Sequence, residues 1–416
     1  MKHPAALALA AVPLCVGLAI PAGPTFAGTT ATTSTTYAFK ASGFGTRVIG
    51  GQAPTSSDTT AYQVIGCTNQ SGKSKENDVG QASVPGLGNV YDSRTRVWTT
   101  AKNGVVASHS THSISKIVLA SSGLGSLEID GITSTAAASH DADGFHAITS
   151  TQIGSLTFTP PGGPAQTFPA PTPDQPIAIP GLATIYAGQH AAEHSGNGAA
   201  ADAFALRVDA VPTGTSIRVA RSHAALNSGL TGGIFGGHSA ATHVVSAAGG
   251  WAKGGPDPLT VMPCQGTYGK VRAKTLSIVD PGGKLLAQDA STREWAVQGD
   301  HRAHGYEKAH IGRLTFGGGQ LVVSDIVGKA TVTRTAHGVV KSTKGTRLGT
   351  VRANGESQTF PKTGVLEIPD VAKLERAVVT RSPHGISVIG LRITLLDGSG
   401  AVINLAEARL HIRPMR

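Results

Sequence analysis

Along most of this 416-residue chain, one glycine or proline follows another within about a dozen residues, 54 glycines and 23 prolines in all. Each glycine costs a helix interior roughly 1 kcal/mol and each proline about 3 kcal/mol, so long helices have little room. Between these breakers stand runs rich in Val, Ile, Thr, Ser and Ala with apolar side chains at alternate positions. Leu127 and Ile129, Ile153 with Leu156 and Phe158, Ile177 and Ile179, and Leu206 and Val208 follow this period of two, which buries one face of a strand. Ser and Thr at the intervening positions suit a face turned to water. The pattern predicts an all-β fold of antiparallel sheets packed as sandwiches, with a β-helix as the alternative.

The chain also repeats itself. CTNQSGK at 67–73 and CQGTYGK at 264–270 share C-x4-G-K, and the same offset lays DSRTRVW (92–98) on DASTREW (289–295). QTFP recurs at 166–169 and 358–361, IAIP (177–180) answers LEIP (366–369), FALRV (204–208) answers IGLRI (389–393), and SIRVAR (216–221) answers VINLAE (402–407). Two tandem, pseudo-equivalent units are expected, over 37–226 and 259–413, too few for a solenoid. The Gly- and Ala-rich stretch 227–258 between them reads as a loose linker. The repeated D-x-x-T-R-x-W keeps Asp92, Thr95 and Arg96 with Asp289, Thr292 and Arg293. Trp98 and Trp295 are expected to anchor the two cores.

The amino terminus, residues 1–27, reads as a signal peptide. Lys2 precedes an apolar run from Ala5 to Ile20, then come Pro21, Pro24 and small residues at Thr25 and Ala27, an order that predicts export with cleavage after about Ala27. No later run of about 20 apolar residues follows, so no transmembrane segment is expected after its removal. Two cysteines then remain, Cys67 and Cys264, at equivalent places in the repeat. In an oxidising compartment they point to one disulfide between the units, with two separate buried thiols as the alternative.

PAPTPDQPIAIPGLATIYAGQ, followed by ADAFALRVDAVPTGTSIRVARSHAAL with its RSHA tetrad at 221–224, resembles the choice-of-anchor P family of exported Gram-positive bacterial proteins. The resemblance covers mainly residues 150–226 and implies a β-rich protein of the cell envelope. Members carry varied C-terminal anchors, whereas this chain ends in HIRPMR without a sorting motif.

Several motifs suggest catalysis and fall short of it. His190, Glu193 and His194 spell H-x-x-E-H, which needs both histidines one helical turn apart to hold zinc. Pro180, Gly181 and SGNG leave little room for that helix, and the second unit lacks the pattern. RVIGGQ (47–52) resembles a trypsin-like activation site, but no segment supplies the nucleophile and base of a triad. GCTNQSGKS (66–74) misses the P-loop spacing by one residue, so a turn beside a disulfide is the better reading. His109 and His112, and His301, His304 and His310, are expected on solvated sheet faces. A secreted hydrolase would need an acid pair, for which Asp130, Asp141, Asp143 and Asp325 are the candidates.

Charge separates the halves. From residue 251 onward there are 23 Lys and Arg against 13 Asp and Glu, while residues 28–250 carry 11 against 12. Shared core packing does not demand that excess, so it belongs largely on the second unit's surface; the candidates are Lys270, Arg272 and Lys274, a period-two stripe, together with Lys341, Lys344, Arg347 and Arg352. Aromatics are few, which makes stacking platforms for sugars or single-stranded nucleic acid hard to assemble. The expectation is an exported, non-catalytic β-rich protein of the envelope or extracellular space that works by surface binding. Its partner is an anionic cell-wall polymer or another envelope protein, with no cofactor, metal or nucleic acid. A secreted glycosidase or metallopeptidase is the alternative.

Overall fold

Fourteen strands build the first half of the described chain: β1 (Ser34–Gly50), β2 (Gln63–Gln70), β3 (Ser74–Val84), β4 (Gly88–Lys102), β5 (Val105–Ser121), β6 (Gly125–Asp141), β7 (Gly144–Gln152), β8 (Ser155–Thr159), β9 (Gln166–Phe168), β10 (Ile177–Ile179), β11 (Ala183–Ala187), β12 (His190–Ser195), β13 (Gly198–Ala210) and β14 (Thr215–Asn227). Thirteen build the second: β15 (Ile234–Ser246), β16 (Asp257–Val261), β17 (Arg272–Val279), β18 (Leu285–Gly299), β19 (Arg302–Phe316), β20 (Leu321–Thr335), β21 (Gly338–Ser342), β22 (Val351–Ala353), β23 (Glu356–Gln358), β24 (Val365–Ile368), β25 (Ala372–Ser382), β26 (Gly385–Leu395) and β27 (Val402–Arg413). The structure is a computed structural model and describes residues 32–50, 59–84, 87–121, 123–246, 256–279, 285–396 and 398–415. The expected signal peptide lies outside these residues, as do Gly51 and Gln52 of RVIGGQ. Among the described residues no helix is long and apolar enough to cross a membrane.

The strands form four antiparallel sheets, none closed into a barrel. In the first half β10-β11-β13-β14-β1-β2 lies on β3-β4-β5-β6-β8-β9, and in the second β16-β15-β27-β26-β25-β24 lies on β17-β18-β19-β20-β22-β23. One core joins Ile114, Ile117, Leu127 and Ile129 to Ile185, Leu206 and Ile217, and its counterpart joins Ile311, Leu314 and Leu321 to Leu391, Ile403 and Leu405. These facing, antiparallel sheets are the expected sandwiches and set the β-helix aside. Asn103–Gly104 and Asn354–Gly355, all at positive φ, close two of the tight hairpins as that dipeptide prescribes.

The stretch read as a linker is corrected. Residues 234–246 of it form β15, a central strand between β16 and β27. It is the counterpart of β1: Phe39 opposes Leu226 and Thr46 opposes Val219, just as Phe235 opposes Ile412 and Thr242 opposes Leu405. Phe39 and Phe235 are both fully buried. The glycines of β15 fit close against the neighbouring strand, where a Cβ on Gly236 would meet the His411 ring and one on Gly237 the Arg409 carbonyl of β27, and that small-residue composition disguised it.

Each long strand also changes phase once. In β4 the buried positions run Val90, then Ser93, Thr95 and Val97, and in β18 they run Leu285 and Ala287, then Ala290, Thr292 and Glu294. The extra residues are Asp92 (φ 48°) and Asp289 (φ 53°), joined across the sheets by Asp325 (46°), Ala220 (52°), Ala377 (51°) and Ala406 (50°). Such left-handed residues act as bulges that bend a strand while keeping its apolar residues inward. Because β5 sets aside Ser115 in the same row, register survives on both sides: Tyr91 opposes Lys116 and Ser93 opposes Ile114. The repeated aspartates are therefore hinges of the sheet, since Asp tolerates this conformation better than most residues.

Candidate functional site

Past the bend, β18, β19 and β20 run side by side and turn alternate side chains outward. Strand pairing sets Trp295 opposite Tyr306, and Arg293 opposite Lys308, which faces Lys329 in turn. Strands lie about 4.8 Å apart, so three cations stand in one row with an aromatic row beside it.

The tryptophans are thus corrected from core anchors to surface residues. Val97 is the fully buried neighbour of Trp98, while Trp98 stacks on His109 with centroids 4.8 Å apart and planes at 10°. Trp295 lies 6.0 Å from Tyr306 at 20°, with His304 edge-on at 5.5 Å. Its indole N–H donates to the Gly269 carbonyl at 2.8 Å, and Lys329 Nζ sits 4.8 Å from the Tyr306 centroid. Few aromatics sufficed for a platform because the hairpin β18–β19 brings two of them together.

Among the described residues no carboxylate pairs with Arg293, Lys308 or Lys329. Asp325 is close, but Arg347 holds it through Nε at 2.6 Å and Nη2 at 2.9 Å, and His310 Nε2 adds a contact at 3.1 Å. The Arg347 bonds keep the Asp325 carboxyl below its usual range. Partial burial, then the charges of Arg293, Arg347 and Lys329, push the Lys308 ammonium down. Ser291, Arg293, Lys308 and His310 line a depression of about 70 Å³ over this row. Like charges directly opposite one another destabilise a sheet, and an anion laid over the row relieves that cost.

In the first half the corresponding row is Arg96, Thr111 and Thr135, with Arg96 over the Trp98 ring at 5.1 Å. A shallow groove of about 490 Å³ lies over the bend there, lined among others by Asp78, Asp92, Arg94, Ser113 and Ser115. Arg94 is already bonded to Glu76 and Asp78.

The seven basic residues singled out from the sequence do not form one patch. Arg272 and Lys274 do share a face of β17, where both are exposed and stand opposite Glu294 and Thr292. Lys341, Lys344, Arg347 and Arg352 lie on or beside β21 and β22, beyond β18, β19 and β20, some four strand spacings or about 19 Å from Lys270, Arg272 and Lys274. Arg272 Nη1 is 2.9 Å from Glu294 Oε1, an ion pair without hydrogen-bond alignment, and Lys341 Nζ donates to the Ser382 carbonyl at 2.6 Å. Of the seven, Arg347 borders the cation row.

The H-x-x-E-H residues fall on β12, an exposed edge strand. Alternation turns Glu193 away from His190 and His194, and four residues of strand separate those histidines by about 13 Å. His190 Nε2 instead meets Thr151 Oγ1 at 3.2 Å. Nor do the four aspartates converge. Asp130 takes a bond from Ser155, Asp141 pairs with His146 at the far end of β6 beside Asp143, and Asp325 belongs to the other half. The facing acids are Glu294 and Glu307, directly opposite on β18 and β19 and closed off from solvent. His112 also departs from expectation: it is buried between Ser93 and Thr95, whose hydroxyls lie 3.3 and 2.6 Å from its nitrogens. Burial pushes its pKa down to about 3.

Cys67 and Cys264 are joined in a disulfide spanning 197 residues, with their Cα atoms 5.3 Å apart. Comparison of the chain with protein-family models, with curated proteins and with solved structures finds no match.

Proposed function

We propose that this protein is an exported, non-catalytic binding protein of the envelope or extracellular space that holds an anionic polymer on the outer face of β18, β19 and β20. The observation that carries this reading is the row Arg293, Lys308 and Lys329, three cations on adjacent strands with which no carboxylate among the described residues pairs. A row of fixed positive charge raises the local concentration and association rate of anions, and successive charges at about one strand spacing suit a chain with repeated negative groups. Trp295 and Tyr306 add an apolar platform for the uncharged parts of a repeat, such as a sugar ring. The basic excess of the second half and the expected signal peptide agree with a wall polymer as the partner.

Binding of the mature, disulfide-bonded protein to a polyglycerol phosphate and to a neutral glucan, each at low and high salt, tests the reading. The expected result is salt-sensitive binding to the anionic polymer alone, lost in an Arg293→Gln/Lys308→Gln double variant. Equal binding by that variant, or binding indifferent to salt, overturns it.

A further inference from the structure

The outer face of the sheet β10-β11-β13-β14-β1-β2 carries three arginines in one row. Leu206 and Val208, like Ile217 and Val219, point into the core, so Arg207 and Arg218 between them point out. Strand pairing sets Tyr186 opposite Arg207, Arg207 opposite Arg218, and Arg218 opposite Arg47, the arginine of RVIGGQ. The three guanidinium groups thus stem from adjacent strands about 4.8 Å apart. Aromatic rings hold two of them: Arg207 lies 4.0 Å from the Tyr186 ring centroid and Arg218 lies 5.3 Å from that of Phe204. Such a contact uses the face of the guanidinium and leaves the N–H donors at its edge. Arg207 Nη2 meets Asp209 Oδ2 at 3.2 Å. Arg218 and Arg47 are both exposed, and among the described residues no carboxylate pairs with either.

We infer that this row docks a carboxylate-rich peptide segment of a partner protein. The fold does not demand the arginines. In the second half the equivalent row is Glu375, Arg392, Asn404 and His243, where Arg392 Nε donates to Asn404 Oδ1 at 3.1 Å and Glu407 holds His243. One guanidinium with an acid beside it therefore suffices at this place in the sandwich, and like charges directly opposite one another destabilise a sheet. The face also shows what it takes. Past the bend at Ala220, Arg221 reaches Asp202 through both Nε and Nη2, a two-point contact with one carboxylate. Planar forks of this kind match the paired oxygens of a carboxylate. Arg218 and Arg47 repeat the donor without the acceptor, and an incoming acidic segment completes the pattern. A peptide fits better than a sugar chain, because the rings of Tyr186, Phe204 and Phe44 each already carry a guanidinium and are not free for a sugar to stack on. Arginine and tyrosine are also the residues enriched where interfaces hold most of their energy. The row lies on the other half from Arg293, Lys308 and Lys329, and it offers forks where that row has two lysines.

Calorimetric titration of an oligoglutamate peptide into the full, disulfide-bonded mature protein tests this. The expected result is salt-sensitive binding of the peptide, weakened at least about tenfold in Arg47→Gln/Arg218→Gln. Arg47→Lys/Arg218→Lys, which keeps both charges and loses the forks, should not restore the affinity. Both substitutions fall on exposed side chains, and unfolding curves establish that the variants are folded. The Arg293→Gln/Lys308→Gln variant should bind the peptide as the parent does, and Arg47→Gln/Arg218→Gln should bind polyglycerol phosphate as the parent does, so the two faces succeed or fail separately. Titration of oligogalacturonate, a carboxylated sugar chain, checks the class of partner and should show weaker binding than the peptide. Absence of peptide binding, equal affinity in the glutamine variant, full affinity in the lysine variant, loss of either ligand in the other face's variant, or tighter binding of the sugar chain overturns the inference.

Discussion

Glu294 and Glu307 face each other across β18 and β19 with both side chains fully buried; among the described residues Ser239 is the one that bonds the pair from the opposite sheet, donating to Glu307 Oε2 at 2.8 Å, while Arg272 pairs with Glu294 from β17. Burial, and then the charge of Glu294, raise the Glu307 carboxyl well above its ordinary range, and burial likewise raises Glu294. A group whose folded pKa is raised contributes stability that is fully present below its unfolded pKa, near 4.5, and is lost as pH rises through the folded value. Glu307→Gln, which keeps the shape and removes the charge, should therefore stabilise the protein at pH 7 by about 1–3 kcal/mol. The gain should shrink toward pH 4. Melting temperatures of parent and variant across pH 4–8 check it.

His112 gives the opposite slope. Its folded pKa is depressed from 6.5 to about 3, so the unfolded chain takes up a proton that the folded one refuses. Stability is present above pH 6.5 and is lost as the pH falls from there toward 3, by a few kcal/mol in all. Glu407, held below its ordinary range by bonds from His238 and His243, adds to acid sensitivity below about pH 4.5. Urea midpoints between pH 7 and pH 4 should fall, and fall less in His112→Gln.

Trp295 on the outer face and Phe235 in the core should separate binding from folding. Phe235→Ala removes a fully buried ring and is expected to cost about 3–5 kcal/mol. Trp295→Ala, which removes the stack on Tyr306, should cost about 1 kcal/mol and weaken binding of the anionic polymer instead. Denaturation curves run beside binding isotherms distinguish the two.

The bend predicts an unusual pair of results at Asp289, which is exposed at φ 53°. Asp289→Gly should be neutral or stabilising by up to about 1 kcal/mol, because glycine adopts this conformation freely. Asp289→Val should cost about 1–3 kcal/mol. Thermal unfolding of both variants decides it.

Removing the Cys67–Cys264 bond, which closes a loop of 197 residues, should cost about 3–5 kcal/mol on the chain-entropy estimate. Calorimetry of Cys67→Ser/Cys264→Ser checks this.

By itself the sequence determined the class of fold and the pairing of its halves. Breakers at short spacing exclude helices, alternation of Leu127 with Ile129 or Leu206 with Val208 makes strands with one buried face, and equivalent cysteines mark equivalent strands. Those are local signals, carried by residues close together in the chain. What sequence reading missed is what depends on partners far away. β15 looked like a linker because pairing with β16 and β27, not propensity, is what makes its small residues a strand. Trp98 and Trp295 looked like core because aromatic burial is the common case, and the one-residue shift of phase at Asp92 and Asp289 hides which face they occupy. The row Arg293, Lys308 and Lys329 and the row Arg207, Arg218 and Arg47 have no spacing that a linear reading recognises. Only the register of antiparallel strands brings those charges together, and that is decided by tertiary structure.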